Sequence, residues 1–187
     1  IGIAEITGNI DDIAGYKEIR ESIYKAFNTF WNGYAYRHST YQLATDDRVQ
    51  ALAVVSGLAD ASKYDEIYEF FKSYEHASPY MEKYVLETLV KTGHSDYALE
   101  RFKKRFATMI EDTFNTTLYE GWEIGAYGGG STNHAWSGGM LTVIAENICG
   151  VRPLTAGWKS FEVCPDPVIP ECSITIPSVA GMIESSF

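Results

Sequence analysis

The chain has 187 residues, 45% hydrophobic and 21% charged, a balance that excludes a disordered or collagen-like polypeptide. Fifteen Lys and Arg stand against 25 Asp and Glu, a formal charge of −10 with no basic cluster. Nucleic acid and anionic membrane surfaces are therefore poor partners, and no run of about 18 apolar residues predicts a transmembrane helix.

The length suits one domain, or one plus part of another. The chain begins at Ile1 with no charged-then-apolar signal segment, which reads as a processed start or part of a longer protein. Only four glycines fall between Ile10 and Asp112, and five of the six prolines follow residue 150. Residues 10–112 therefore read as helices joined by short turns, 113–134 as a functional-looking loop, and the tail as irregular or β structure.

The helical period predicts the elements in order. Tyr16, Ile19, Ile23, Ala26, Phe27 and Phe30 form one apolar face. Val49 to Ala59 is apolar nearly all round and predicts a helix buried on most sides, capped by Asp46. Ile67, Phe70, Phe71 and Tyr74 mark the next helix, with Ser62 as its cap. Met81, Tyr84, Val85, Thr88 and Leu89 follow, behind Ser78 and Pro79 at the cap and first helical position. Gly93 stops that helix and Ser95 restarts the chain into Leu99, Phe102, Phe106, Met109 and Ile110. A last helix carries Trp136, Met140, Val143, Ile144 and Ile148. The short turns predict antiparallel helical hairpins. Phe161–Cys164 and Cys172–Ile176 read as strands. Such a small sheet must pack on the helices or belong to a larger β domain.

Cys149, Cys164 and Cys172 are an odd set, so a Cys164–Cys172 pair and three free thiols both stay open. No CxxC or His-rich spacing supports a metal. GxSxG, HExxH and GxGxxG are absent, so no cofactor is expected.

The stretch Thr116-Thr117-Leu118-Tyr119-Glu120-Gly121-Trp122-Glu123 leads through Gly128-Gly129-Gly130 to Asn133-His134-Ala135-Trp136. These residue types suit a sugar. Aromatic faces pack on a pyranose ring, amides and carboxylates bond its hydroxyls, and a carboxylate can act as base. Each residue alone has a blander reading. A loop glutamate is usually a solvated charge, Trp122 and Trp136 are more often core, and His134 more often packs or caps. The glycine run lacks a Gly-Lys-Ser/Thr ending, and Asn115-Thr116-Thr117 is only a formal glycosylation sequon.

At this stretch the chain resembles the bacterial α-L-rhamnosidases of glycoside hydrolase family 78. The resemblance rests on Thr116-Thr117-Leu118-Tyr119-Glu120-Gly121-Trp122, Asn133-His134-Ala135-Trp136-Ser137-Gly138, Ile148-Cys149-Gly150-Val151-Arg152-Pro153 and Gly157-Trp158-Lys159-Ser160-Phe161-Glu162-Val163. Upstream, the stretches at 45–54 and 78–87 also match. It covers about residues 15–185. The motifs in this order are fairly specific together, and each alone is weak.

The resemblance implies a mainly α fold, with hairpins forming part of an (α/α)6 toroid over 1–150 and the start of a β-sandwich or β tail over 151–187. It implies hydrolysis of terminal α-L-rhamnosides with inversion. One acid protonates the leaving oxygen, and one carboxylate about 6.5–9.5 Å away activates water. Motif matching places Glu120 at the general base, ahead of its neighbour Glu123. Trp122, His134 and Trp136 fall at or near the sugar pocket. Asp47, Arg48 and Glu82 match less secure binding stretches. No metal or cofactor is implied, and the partner is a rhamnose-containing glycan or glycoside. A full toroid needs far more chain than 187 residues. The general acid is therefore expected upstream, in a longer enzyme, and this chain alone is expected to be inactive. Uncovered inner-helix faces would then favour a homo-oligomer or the missing N-terminal part of the same enzyme. The alternatives are a non-catalytic carbohydrate-binding module and a helical scaffold. Rhamnose binding without hydrolysis favours the module, and no binding favours a fragment with an unformed pocket.

Overall fold

A computed structural model describes residues 1–187. The protein is mainly α-helical with a small antiparallel β tail. It divides into two compact units, Ile1–Glu75 and His76–Phe187. The tail after residue 150 thus belongs to the same unit as the helices that precede it.

The first unit contains α1 (Gly2–Thr7), α2 (Ile13–Asn28), α3 (Asp47–Val55) and α4 (Tyr64–Ser73). Asp46 caps α3 as the sequence predicts, accepting from the Arg48 N–H at 2.8 Å. The cap before α4 is different. Asp60, not Ser62, accepts the first free N–H, and it caps a 3-10 turn, Ala61–Lys63, that leads into the helix. An aspartate at that position receives the donor, which comes from Ser62 itself. The unit is centred on Tyr36 and Gln50. The Gln50 amide accepts from Tyr36 N–H at 2.8 Å and donates to Tyr36 O at 3.0 Å. The Tyr36 hydroxyl donates to Asn28 at 2.6 Å. Ile67, Phe70 and Phe71 of α4 are buried, each stabilising the fold by about 1.5–3 kcal/mol.

The face predicted along α2 is covered only at its C-terminal end, where half-buried Phe27 meets Tyr36 at 4.7 Å and Phe30, just past the helix, meets His38 at 5.0 Å. Tyr16, Ile19 and Ile23 are exposed, and no residue of α2 is buried. With Ile3, Ile6 and Ile10 they form an exposed apolar set. In α3, Ala51, Ala53 and Val54 are buried while Val49 and Leu52 are exposed. That helix is therefore buried on one side rather than on most sides, because Asp47, Gln50, Ala51 and Val54 share the packed face and Val49 and Leu52 fall outside it.

The second unit begins with a helical hairpin, α5 (Pro79–Lys91) and α6 (Ser95–Glu111). Ser78 accepts from Met81 N–H at 3.4 Å, with Pro79 at the first turn. Gly93, at φ +87°, closes α5. Its N–H reaches Val90 O at 3.0 Å, and the next N–H, of His94, reaches Leu89 O at 2.8 Å. That bond pair is the Schellman closure, which needs a left-handed residue at the first position past the helix cap.

The predicted last helix is broken. Ala135–Gly139 is a 3-10 turn, α8 (Met140–Val143) is one α turn, and Ile144–Ile148 is a π turn. Two adjacent glycines, Gly138 and Gly139, weaken the α-helix here. A Cβ at Gly139 would meet Lys83 at 3.3 Å. Before it, α7 (Ala126–Gly129) is a single turn in which Tyr127 and Gly128 take left-handed angles.

The tail forms two separate antiparallel pairs. β1 (Val151–Pro153) pairs with β2 (Phe161–Val163), and β3 (Ser173–Ser178) with β4 (Gly181–Ser186). The predicted strands are β2 and β3, and their partners β1 and β4 are additional. Opposed Arg152 and Glu162 form an ion pair across β1 and β2 at 2.5 Å. Asp166 fastens the tail to the helices, accepting from the Ser95 hydroxyl at 2.5 Å and donating its N–H to Ile148 O at 2.9 Å. The three thiols are free. No helix is long and apolar enough to cross a membrane.

Candidate functional site

The loop from 112 to 134 is organised at its base by Asp112. This carboxylate accepts from Phe114 N–H at 2.8 Å, from Asn115 N–H at 2.9 Å, from the Asn115 amide at 3.0 Å and from the Tyr119 hydroxyl. The Tyr119 hydroxyl first, then the Asn115 donors, hold Asp112 well below the usual carboxylate range. The same bond, followed by burial, pushes the Tyr119 phenol up. Tyr119 O in turn accepts from the buried Ser137 hydroxyl at 2.6 Å.

Two segments of the loop then run side by side. Glu120 N–H donates to Ser131 O at 2.9 Å, and His134 N–H donates to Leu118 O at 2.8 Å. This pairing joins residues 11 and 16 apart in sequence and brings Glu120 close to His134. The glycines permit it. A Cβ on Gly121 would stand 2.3 Å from the Ala126 Cβ, and one on Gly130 2.7 Å from Ala126 O.

The result is a compact polar group. Glu120 Oε2 accepts from Ser131 N–H at 3.0 Å and lies 3.6 Å from His134 Nδ1. Ser131 Oγ is 2.9 Å from the same Nδ1 and 3.3 Å from Asn133 O. Ser131 thus ties the imidazole to the backbone of the same loop and fixes the orientation of the ring. The Glu120 and His134 side chains are 27% and 31% exposed, sheltered but open to solvent. The His134 ring is 4.2 Å from Trp136, which is exposed.

Trp122 has a different setting. It is half-buried, and its indole N–H donates to Ala77 O at 2.7 Å. The Arg105 guanidinium lies 4.1 Å over its ring, and Phe106 meets it edge-on at 5.0 Å. Arg105 is held by Glu82 at 2.6 Å, and Arg101 holds the same carboxylate at 2.6 Å. The Glu82 and Arg101 side chains are fully buried. Glu82 therefore lies within the core of this unit rather than on a surface open to a sugar.

Of the sequence-predicted residues, the second unit brings Glu120, His134 and Trp136 together, with Trp122 on the same loop and Glu82 beneath it. Asp47 and Arg48 belong to the first unit. Asp47 is buried, and Arg48 is exposed with its guanidinium on Asp46. The competing Glu123 is exposed. Sequence reasoning missed Ser131, Asp112 and the Arg101–Arg105 pair. It also missed Tyr80, whose ring is 5.2 Å from Trp136, and Tyr84, 6.0 Å from Tyr80. The i, i+4 spacing of those tyrosines on α5 was the available signal. No group of three or more His, Cys, Asp or Glu is arranged to hold a metal ion. No protein-family model matches the chain, and no curated protein matches it.

Proposed function

We propose that the second unit carries the base-bearing half of an inverting α-L-rhamnosidase site. One observation carries this reading: a sheltered carboxylate, a histidine held by Ser131 and an exposed tryptophan meet within one loop closure. A pyranose ring lies over Trp136 with its anomeric carbon toward Glu120. His134 hydrogen-bonds a ring hydroxyl. Glu120 takes a proton from the water that attacks the anomeric carbon, on the face opposite the leaving group. As the new C–O bond forms, the glycosidic bond breaks and its oxygen is protonated by an acid on the other face. No residue of this chain is assigned to that acid. Glu82 serves the site indirectly, by holding Arg105 against Trp122.

Because Glu120, His134 and Trp136 come together within the second unit, the chain by itself is expected to bind methyl α-L-rhamnoside weakly and to turn over none. NMR titration and an aryl-rhamnoside assay test both points. Turnover by this chain that Glu120→Gln abolishes would overturn the half-site. Absence of any binding would overturn the sugar site.

A non-catalytic sugar-binding module is the second reading, favoured by the single sheltered carboxylate. There Glu120 bonds a sugar hydroxyl, so Glu120→Ala weakens binding by about 10- to 150-fold, since a bond to a charged group contributes roughly 1.5–3 kcal/mol. In the base reading Glu120 holds water, and Glu120→Ala leaves affinity nearly unchanged.

A further inference from the structure

The ring contacts do not stop at Trp136. In order of contact they run from His134 to Trp136 at 4.2 Å, to Tyr80 at 5.2 Å and to Tyr84 at 6.0 Å. Tyr80 and Trp136 are 39% and 44% exposed, which is unusual for two large adjoining rings. The Tyr80 and Tyr84 hydroxyls stand 3.4 Å apart. The Lys83 ammonium lies 5.1 Å from the Tyr84 ring and 3.7 Å from Glu87. This strip of α5 thus combines ring faces with hydroxyl, ammonium and carboxylate groups. The close fit of Gly139 against Lys83 keeps the 3-10 turn low beside α5.

We infer that Tyr80 and Tyr84, continuing the line of rings from Trp136, form a ledge for the second ring of the glycoside, the one beyond the scissile bond. The inference rests on the reading of Glu120 as the base. The line of rings leaves the Glu120–His134 pair at Trp136 and continues through Tyr80 and Tyr84. Its occupant is a flat or pyranose ring carrying hydroxyls. Stacking on tyrosine and tryptophan suits the ring faces, and the paired phenols and Lys83 suit the hydroxyls. The continuity of the rings with the carboxylate selects this occupant over a protein surface.

The test uses the full chain, titrated by NMR with methyl α-L-rhamnoside and with para-nitrophenyl α-L-rhamnoside. The aryl compound is expected to bind roughly two- to tenfold more tightly, the range one aromatic contact contributes. Tyr80→Ala should erase that advantage and leave the methyl rhamnoside affinity unchanged. Phe114→Ala removes another exposed aromatic of the same unit and should leave the advantage in place. Equal affinities for the two compounds, or an advantage that survives Tyr80→Ala, or one lost equally in Phe114→Ala, would overturn the ledge while the Glu120 site stands. Binding of neither compound would overturn both.

Discussion

Glu82 and Glu120 are the same residue type in the same unit, and their surroundings give them opposite duties. Glu82 is sealed in the α5–α6 hairpin between two guanidiniums. Glu120 sits on a glycine-rich loop, with one backbone N–H on its carboxylate and the His134 imidazole 3.6 Å away. A carboxylate buried with two hydrogen-bonded cations is a structural tie, since removing one partner leaves an unbalanced charge in low dielectric. A carboxylate a quarter exposed keeps lone pairs for a water molecule or a ligand. The two are linked, because Arg105 joins Glu82 to Trp122, and Trp122 is two residues from Glu120.

The largest test of this contrast is Glu82→Ala. It should cost about 3–5 kcal/mol, read from urea unfolding of the chain. A loss below about 1 kcal/mol would dissolve the distinction. Glu120→Gln, in the same assay, should stay within about 0.5 kcal/mol, as expected away from buried features.

Next in size is the acid-side stability supplied by Asp112. Its carboxyl is depressed in the folded protein, so its contribution is present above the ordinary aspartate range near pH 3.9 and is lost as pH falls toward the folded value. Asp112→Asn should flatten the fall of the urea midpoint between pH 5 and pH 2. The raised Tyr119 phenol works in the opposite sense. Its contribution is full below about pH 10 and fades as pH rises through the folded value. An unchanged acid profile in Asp112→Asn would remove the loop anchor.

Trp122→Phe keeps a ring between Arg105 and Phe106 but deletes the bond to Ala77 O. It should cost about 1 kcal/mol. A much larger loss would show that the loop depends on the full indole volume.

The smallest effect is chemical. Burial, and then contact with Cys172, push the Cys149 thiol up to about 12, whereas Cys164 is exposed. Iodoacetamide at pH 8 should label Cys164 first and spare Cys149 in the folded chain. Mass spectrometry of the labelled peptides reads the order.

Much of the fold could be read from residue types. Ser78-Pro79 and Gly93 marked the ends of α5 because caps are local chemistry, decided by a few neighbouring N–H and C=O groups. The face of α4 was equally plain, since Ile67, Phe70 and Phe71 follow the helical period and are buried. The face of α2 was just as regular, yet Tyr16, Ile19 and Ile23 stand exposed. Periodicity shows which residues share a side, not whether anything packs there. The broken segment after Ala135 misled for a related reason. Its apolar spacing is helical, but two adjacent glycines weaken the α-helix, and Gly139 sits where the chain passes Lys83.

The candidate site divides in the same way. The run from Thr116 to Trp136 supplied the carboxylate, the histidine and the rings, and the glycines marked a loop able to fold back on itself. Residue types determined that much, because side-chain chemistry belongs to each residue alone. The pairing of 118–120 with 131–134, the sealing of Glu82 and the alignment of Tyr80 with Trp136 were decided by tertiary structure. Hydrogen-bond partners, burial and ring contacts are properties of distances across the fold, and the linear order of residues does not contain those distances.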